Sequence, residues 1–228
     1  DKTAFLTPHA KYRYVTMPQG ITNAPAAFQS LMDTILKGVQ YKYVLSYVDD
    51  IIIFSATFED HLSHIREILD RFRQAKLKLS PNKCSFALTK VIYLGHSLHR
   101  KGMSPAPALV ETIRMAPVPV TKTNVRSFLG ISNYYRKFIP RYSEIARPLY
   151  DLICNDKPNK VIWTQECQDA FQTLKNALTS DSVLAFPNFN KPFILATDTS
   201  STGIVACLSQ YENDELKPLG YVGRGFTP

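Results

Sequence analysis

Two adjacent aspartates, Asp49 and Asp50, stand between two apolar, β-rich runs, Tyr43-Val44-Leu45-Ser46-Tyr47-Val48 and Ile51-Ile52-Ile53-Phe54. Runs of this composition pair as strands, so the segment reads as a β-hairpin with the acids at its tip. Like charges at that distance repel, and burial adds to the cost. A hard divalent cation removes the conflict. Mg²⁺ takes oxygen ligands and is commonly held by one or two carboxylates together with phosphate oxygens. Two such ions can clamp the attacking and leaving oxygens of an in-line phosphoryl displacement. From the dipeptide alone, a plain Asp-Asp turn remains the other reading.

The flanking sequence mixes helical and strand periodicities. Phe5 to Met17 alternate loosely and predict a hairpin, which Pro18-Gln19-Gly20 ends. Asn23 is placed to cap a helix carrying Pro25 in its first turn, with Phe28, Leu31, Met32, Ile35 and Leu36 at helical spacing and Gly38 as the stop. Asp60 to Leu79 predicts a second helix, with Leu62, Ile65, Ile68, Leu69 and Phe72 as its apolar stripe. Cys84–Leu88 and Val91–Leu98 read as two short strands, and the prolines from Pro105 to Pro119 as a linker near a domain boundary. Two short helices follow, near Asn124–Phe138 and Tyr142–Ile153. Thr164 then caps a helix with Cys167, Ala170, Phe171, Leu174 and Leu178 on one face. Phe193–Thr197, Ile204–Leu208 and Leu219–Val222 read as successive strands.

Charge narrows the partners. A net charge of +8 and an isoelectric point near 9.3 point first to polyanions, of which nucleic acid is the commonest. No apolar run reaches bilayer-spanning length, so no membrane partner is expected. The cysteines, Cys84, Cys154, Cys167 and Cys207, form no CxxC pair and read as reduced thiols of an intracellular protein. The opening Asp1-Lys2-Thr3-Ala4-Phe5 lacks a Met and runs straight into a strand-like pattern, which reads as a cut inside a longer protein.

Tyr47-Val48-Asp49-Asp50 matches the Tyr-x-Asp-Asp signature of reverse transcriptases, and a collinear series of boxes surrounds it. Lys2-Thr3-Ala4-Phe5, Met17-Pro18-Gln19-Gly20 and Asn23-Ala24-Pro25-Ala26-Ala27-Phe28-Gln29 precede it. Leu79-Ser80-Pro81-Asn82-Lys83-Cys84, Tyr93-Leu94-Gly95-His96, Val125-Arg126-Ser127-Phe128-Leu129-Gly130 and Asn133-Tyr134-Tyr135-Arg136-Lys137-Phe138-Ile139 follow it. Trp163-Thr164, Ala170-Phe171 and Leu195-Ala196-Thr197-Asp198 come last. Nearly end to end, the chain resembles the Pol polyprotein of Ty3/Gypsy-type LTR retroelements. The resemblance implies an α+β fold: a reverse transcriptase palm fragment over 1–98, a small helical thumb over 99–155, and a linker helix with the first strands of a ribonuclease H-like α/β domain over 156–228.

It also implies roles. Asp49 and Asp50 would be catalytic metal ligands, and Asp198 the first ribonuclease H metal ligand, with Mg²⁺ as cofactor and Mn²⁺ as the alternative. Pro18, Gln19, Gly20 and Tyr47 would lie against the incoming nucleotide, and Lys83 near its triphosphate. Leu94, Gly95 and His96 would form the primer grip. Lys122, Arg126, Arg136, Lys137, Arg141 and Arg147, interleaved with Tyr134, Tyr135 and Tyr142, would face a duplex backbone. Implied partners are an RNA/DNA template-primer, deoxynucleotide triphosphates and other domains of the parent polyprotein, in a cytoplasmic particle or the nucleus. The implied activity is RNA-directed DNA synthesis with ribonuclease H. A catalytically inactive nucleic-acid-binding derivative, or a pseudogene product, is the alternative. The family's first palm aspartate falls before Lys2, and its later ribonuclease H acids after the last residue, so the stretch alone is expected to be inactive. Gln19 stands where many Ty3/Gypsy relatives carry Phe, Val205 where the family has Gly, and Gly223 and Gly225 where it has Ser.

Overall fold

The computed structural model describes residues 3–18, 20–180, 182–201 and 203–226. Its contacts divide the chain into two compact units, Asp1–Leu88 and Thr89–Pro228. Among the described residues no helix is long and apolar enough to cross a membrane.

In the first unit, β1 (Phe5–Leu6) pairs antiparallel with β2 (Lys11–Tyr12), and α1 spans Ala24–Ile35. Asn23 occupies the N-cap position, but its backbone is already helical (φ −90°, ψ −5°) and its side chain makes no capping bond. A capping side chain works from an extended backbone, so the expected cap is not made. Strands β3 (Val44–Tyr47) and β4 (Asp50–Ile53) form an antiparallel hairpin, and α2 spans Phe58–Gln74. Helix α2 begins before the expected Asp60 because Thr57, extended, caps it by accepting from the Asp60 N–H. It ends before the expected Leu79, as Lys76 turns to φ +56°. Ile68 and Phe72 of the stripe are buried with Met32, Leu36, Val39 and Val44, whereas Leu62 is 51% exposed. Cys84–Leu88 forms no strand; Pro81–Lys83 is a 3₁₀ turn and Ala87 has φ +53°.

The second unit opens with a three-stranded antiparallel sheet: β5 (Lys90–Tyr93), β6 (His96–His99) and β7 (Gly102–Pro105). The single strand expected over Val91–Leu98 is a hairpin, because Leu94 (φ +45°) and Gly95 (φ +72°) form a two-residue turn with both φ positive. That conformation matches the right-handed twist of the strands. The Pro-rich stretch is no structureless linker, since Pro105 closes β7 and Pro107 starts α3 (Pro107–Arg114). Proline's missing N–H costs nothing in a helix's first turn.

Helices α4 (Lys122–Tyr134), α5 (Tyr142–Asp151) and α6 (Gln165–Thr179) then build the core. Thr121 caps α4 in a reciprocal capping box with Asn124, and Thr164 caps α6 as its sequence predicts. All five expected α6 residues are buried, among Val125, Phe128, Tyr135, Phe138 and Leu149. Each such large apolar side chain contributes about 1.5–3 kcal/mol by leaving water. The Phe128–Phe171 ring pair, 4.6 Å apart, adds to this. The chain leaving α6 returns to the first sheet of this unit, where Met103 and Leu184 exchange backbone hydrogen bonds of 2.8 and 2.9 Å. The last sheet has the order β10-β9-β8, from β8 (Ile194–Thr199), β9 (Gly203–Glu212) and β10 (Glu215–Gly225), all antiparallel.

Candidate active site

In the first unit, Tyr47 and Asp50 close the β3–β4 ladder, leaving Val48 and Asp49 as a two-residue turn. Val48 takes φ +52°, a conformation that costs a β-branched residue on the order of 1–3 kcal/mol. The surroundings hold it there: the Val48 N–H donates to Gln29 Oε1 at 2.7 Å, and the Gln29 amide donates to Asp33 Oδ1 at 2.9 Å. Gln29, on α1, thus ties the helix to the turn bearing the acids. Sequence reasoning assigns it no such role. The signal there is faint: a polar residue on the same helical run as Met32 and Leu36.

Asp49 and Asp50 are both exposed, and neither enters an ion pair or a side-chain hydrogen bond among the described residues. An acceptor-only pair with no basic partner suits a hard cation. Among the described residues no group of three acids, histidines or cysteines gathers, so the pair would supply part of a coordination sphere, with phosphate and water oxygens the rest. Tyr47 is 59% exposed beside the acids. Gly20 needs its glycine, with φ +87° and open space where a Cβ would stand; Pro18 is half-buried, and Gln19 lies outside the described residues. Lys83, exposed, ends the 3₁₀ turn.

In the second unit, the structure gathers Leu94, Gly95 and His96 with residues at and just beyond the C-terminal end of α4. Tyr134 donates its hydroxyl to the Leu94 carbonyl at 2.7 Å and Tyr135 to the Gly95 carbonyl at 2.5 Å. The His96 ring is buried against Tyr134, Tyr135 and Phe138, at centroid distances of 5.4, 5.4 and 5.8 Å. Its Nδ1 lies 2.8 Å from the Leu94 carbonyl, which can only accept, so Nδ1 carries the proton. Buried Nε2 has no hydrogen-bond partner among the described residues. Burial holds the imidazole below its ordinary value and Lys137 adds to this, against the opposing Leu94 hydrogen bond. His96 is therefore a buried packing group whose ring N–H is committed to the Leu94 carbonyl.

The six expected phosphate-facing cations separate. Lys122 is turned inward, 8% exposed, because its ammonium donates to the Cys154 carbonyl at 2.6 Å. Lys137 is half-buried over the Phe138 ring and reaches Met103 Sδ; burial lowers its pKa. Arg141 is ion-paired with Glu144 at 2.6 Å. Arg126, Arg136 and Arg147 are exposed, with no carboxylate partner among the described residues. Tyr135 and Tyr142 are core residues, and only Tyr134 of the three expected tyrosines is exposed. Asp198 is exposed on β8 opposite Val205, its Oδ1 accepting from the Thr199 N–H. Val205 and Gly223, two of the unusual positions, are direct cross-strand partners. A Cβ on Gly223 would stand 3.2 Å from Val205 Cγ1 and 2.9 Å from Ser143 Oγ, so the bulk absent from one strand is supplied by the other.

Residues 1–98 match the family model described as reverse transcriptase (RNA-dependent DNA polymerase). Residues 163–228 match the one described as an RNase H-like domain found in reverse transcriptase. The chain is 40% identical over 226 residues to the retrovirus-related Pol polyprotein from transposon 297 of Drosophila melanogaster, covering 98% of this chain and 21% of that protein. It is 35% identical over 221 residues to the Tf2-3 transposon polyprotein of Schizosaccharomyces pombe, covering 96% and 16%. The chain therefore spans about a fifth of the length of the curated relatives it matches. Among solved structures, a foamy viral protease-reverse transcriptase in complex with RNA/DNA hybrid superposes with a TM-score of 0.83 at 27% identity, over 99% of this chain and 30% of that one. A second, in complex with double-stranded DNA, gives a TM-score of 0.85 at 27% identity, over 99% and 39%.

Proposed function

The chain belongs to the reverse transcriptase family as a stretch of a retrotransposon Pol polyprotein, and from that premise we propose that the polyprotein carrying it copies retroelement RNA into DNA and degrades the RNA strand. The observation that carries the reading is the exposed acid pair, held on a strained turn by Gln29 inside a segment of reverse transcriptase sequence.

In this reading Asp49 and Asp50 would hold Mg²⁺, with Mn²⁺ as the alternative, and a deoxynucleotide triphosphate would be the substrate. Such an ion, when bound there, would supply stabilisation of the charge on the transferring phosphoryl group. Tyr47, Pro18, Gln19 and Gly20 shape the nucleotide's side of the site, and Lys83 supplies positive charge to the leaving pyrophosphate. Leu94, Gly95 and His96 position the primer end. Tyr134 and Tyr135 support this role by clasping two carbonyls of that hairpin from the adjoining helix. Arg126, Arg136 and Arg147 neutralise phosphates of the template-primer; the nucleic acids bound in the foamy viral structures support a duplex of this kind. Asp198 is a metal ligand of the ribonuclease H segment. Palm, thumb and ribonuclease H-like start divide near 98 and 155.

The test is primer extension by the polyprotein with Asp49→Asn. The metal contributes several kcal/mol of transition-state stabilisation, so the rate should fall about a thousandfold with the fold unchanged. Near-normal extension would refute metal ligation by Asp49.

A further inference from the structure

Beneath the turn that carries Asp49 lies a closed ring of polar side chains. Gln29 Nε2 donates to Asp33 Oδ1 at 2.9 Å and to Ser46 Oγ at 3.4 Å. Ser46 Oγ donates to Gln40 Oε1 at 3.5 Å, and Gln40 Nε2 donates back to Asp33 Oδ1 at 3.4 Å. From the turn, the Val48 N–H donates into the ring at Gln29 Oε1, at 2.7 Å. The two short bonds, Asp33 to Gln29 and Gln29 to Val48, lie in series.

A glutamine amide carries a donor at one end and an acceptor at the other, and either end can face a given neighbour. An ionised carboxylate removes that freedom because it only accepts. With Asp33 on one side of Gln29, the NH₂ must face the carboxylate and Oε1 must face Val48. A flipped amide would set two acceptors against each other at Asp33 and two donors against each other at Val48. Asp33 is one helical turn beyond Gln29, where side chains on α1 meet, and its carboxylate has no basic partner among the described residues. Among the described residues, its carboxylate accepts from the ring's two amides.

We propose that Asp33 is a positioning residue of the active site: it fixes the orientation of the Gln29 amide, which holds Val48 in its left-handed conformation and so sets where Asp49 stands. The reading rests on the proposed polymerase function for its consequence, but not for the hydrogen-bond relay itself.

Both levels can be read separately. On the full chain, amide hydrogen exchange at Val48 reports the relay. Asp33→Leu removes the acceptor and should cut protection at Val48 about fivefold, the scale of one net hydrogen bond. Gln29→Glu sets two carboxylates one turn apart and should also lose protection. The reciprocal swap, Gln29→Glu with Asp33→Asn, rebuilds the relay, because the Asn NH₂ donates to a Glu oxygen while the other accepts from Val48. It should regain protection to within about twofold. Unchanged Val48 protection in Asp33→Leu, or a swap no better than Gln29→Glu alone, would overturn the proposal; the swap also covers the case in which Asp33→Leu fails to fold. In the polyprotein, Asp33→Leu should lower kcat for primer extension about tenfold while KM for nucleotide moves less than about twofold. A full-rate Asp33→Leu enzyme would refute the catalytic consequence. An inactive parent polyprotein with the Val48 pattern intact would instead sink the polymerase reading and support the relay.

Discussion

Replacing Gly102 by Ala tests whether the β5–β7 sheet is clamped to the segment after α6. Gly102 has φ +135°, and a Cβ built there would stand 2.1 Å from the Leu184 carbonyl oxygen and 3.1 Å from Val183 Cγ1. The obstacle is backbone, and that backbone is fixed by the two Met103–Leu184 hydrogen bonds. Two costs therefore combine. Backbone strain is on the order of 1–3 kcal/mol. Overpacking costs about 1–3 kcal/mol more. Taking about 4 kcal/mol together, at roughly 2–4 °C per kcal/mol for a chain of this size, the melting temperature should fall by about 8–16 °C. Gly130→Ala is the control with the opposite sign. Gly130 lies inside α4, and a Cβ added there would meet nothing within 4 Å. It should gain about 1 kcal/mol from helix propensity and melt slightly higher. The assay is a thermal melt of the full chain, with urea unfolding to check that the m-value is unchanged. A Gly102→Ala variant melting within about 3 °C of its parent would show that the clamp gives way cheaply.

Duplex binding by the chain should show a slope of log affinity against log salt near −2.7, from about 0.9 per contact for Arg126, Arg136 and Arg147. Arg126→Ala with Arg147→Ala should flatten it by about two contacts, while Lys122→Met should leave the slope alone; a slope lost with Lys122 instead would contradict its inward placement. His96 has a folded pKa below the ordinary 6.5, so the unfolded chain binds more protons between the two values. Stability from the neutral ring is therefore fully present above about pH 6.5 and declines as pH falls through the folded value. Urea unfolding from about pH 8 to 5 should show that decline, and His96→Phe should flatten it; an equally steep decline in the variant would locate the titration elsewhere.

What the sequence determined alone is what local chemistry repeats. The β-forming runs around Asp49-Asp50 pair as the hairpin their composition predicts. Thr164 ahead of a 3.6-residue apolar repeat fixed both the start and the buried face of α6. Tertiary structure decided what depends on residues distant in sequence. Lys122 and Arg126 look equivalent as basic residues on one helix, yet the Cys154 carbonyl, 32 positions away, draws only Lys122 inward. Leu94 is a poor turn former by composition. It turns because the strands on either side pair and two tyrosines, each 40 positions from the carbonyl it binds, secure Leu94 and Gly95. Gln29 has only a faint local signal for its role, since the N–H it satisfies belongs to Val48, outside its own helix. A side chain's partners are set by where the packed core brings elements together, and no periodicity within one element encodes that.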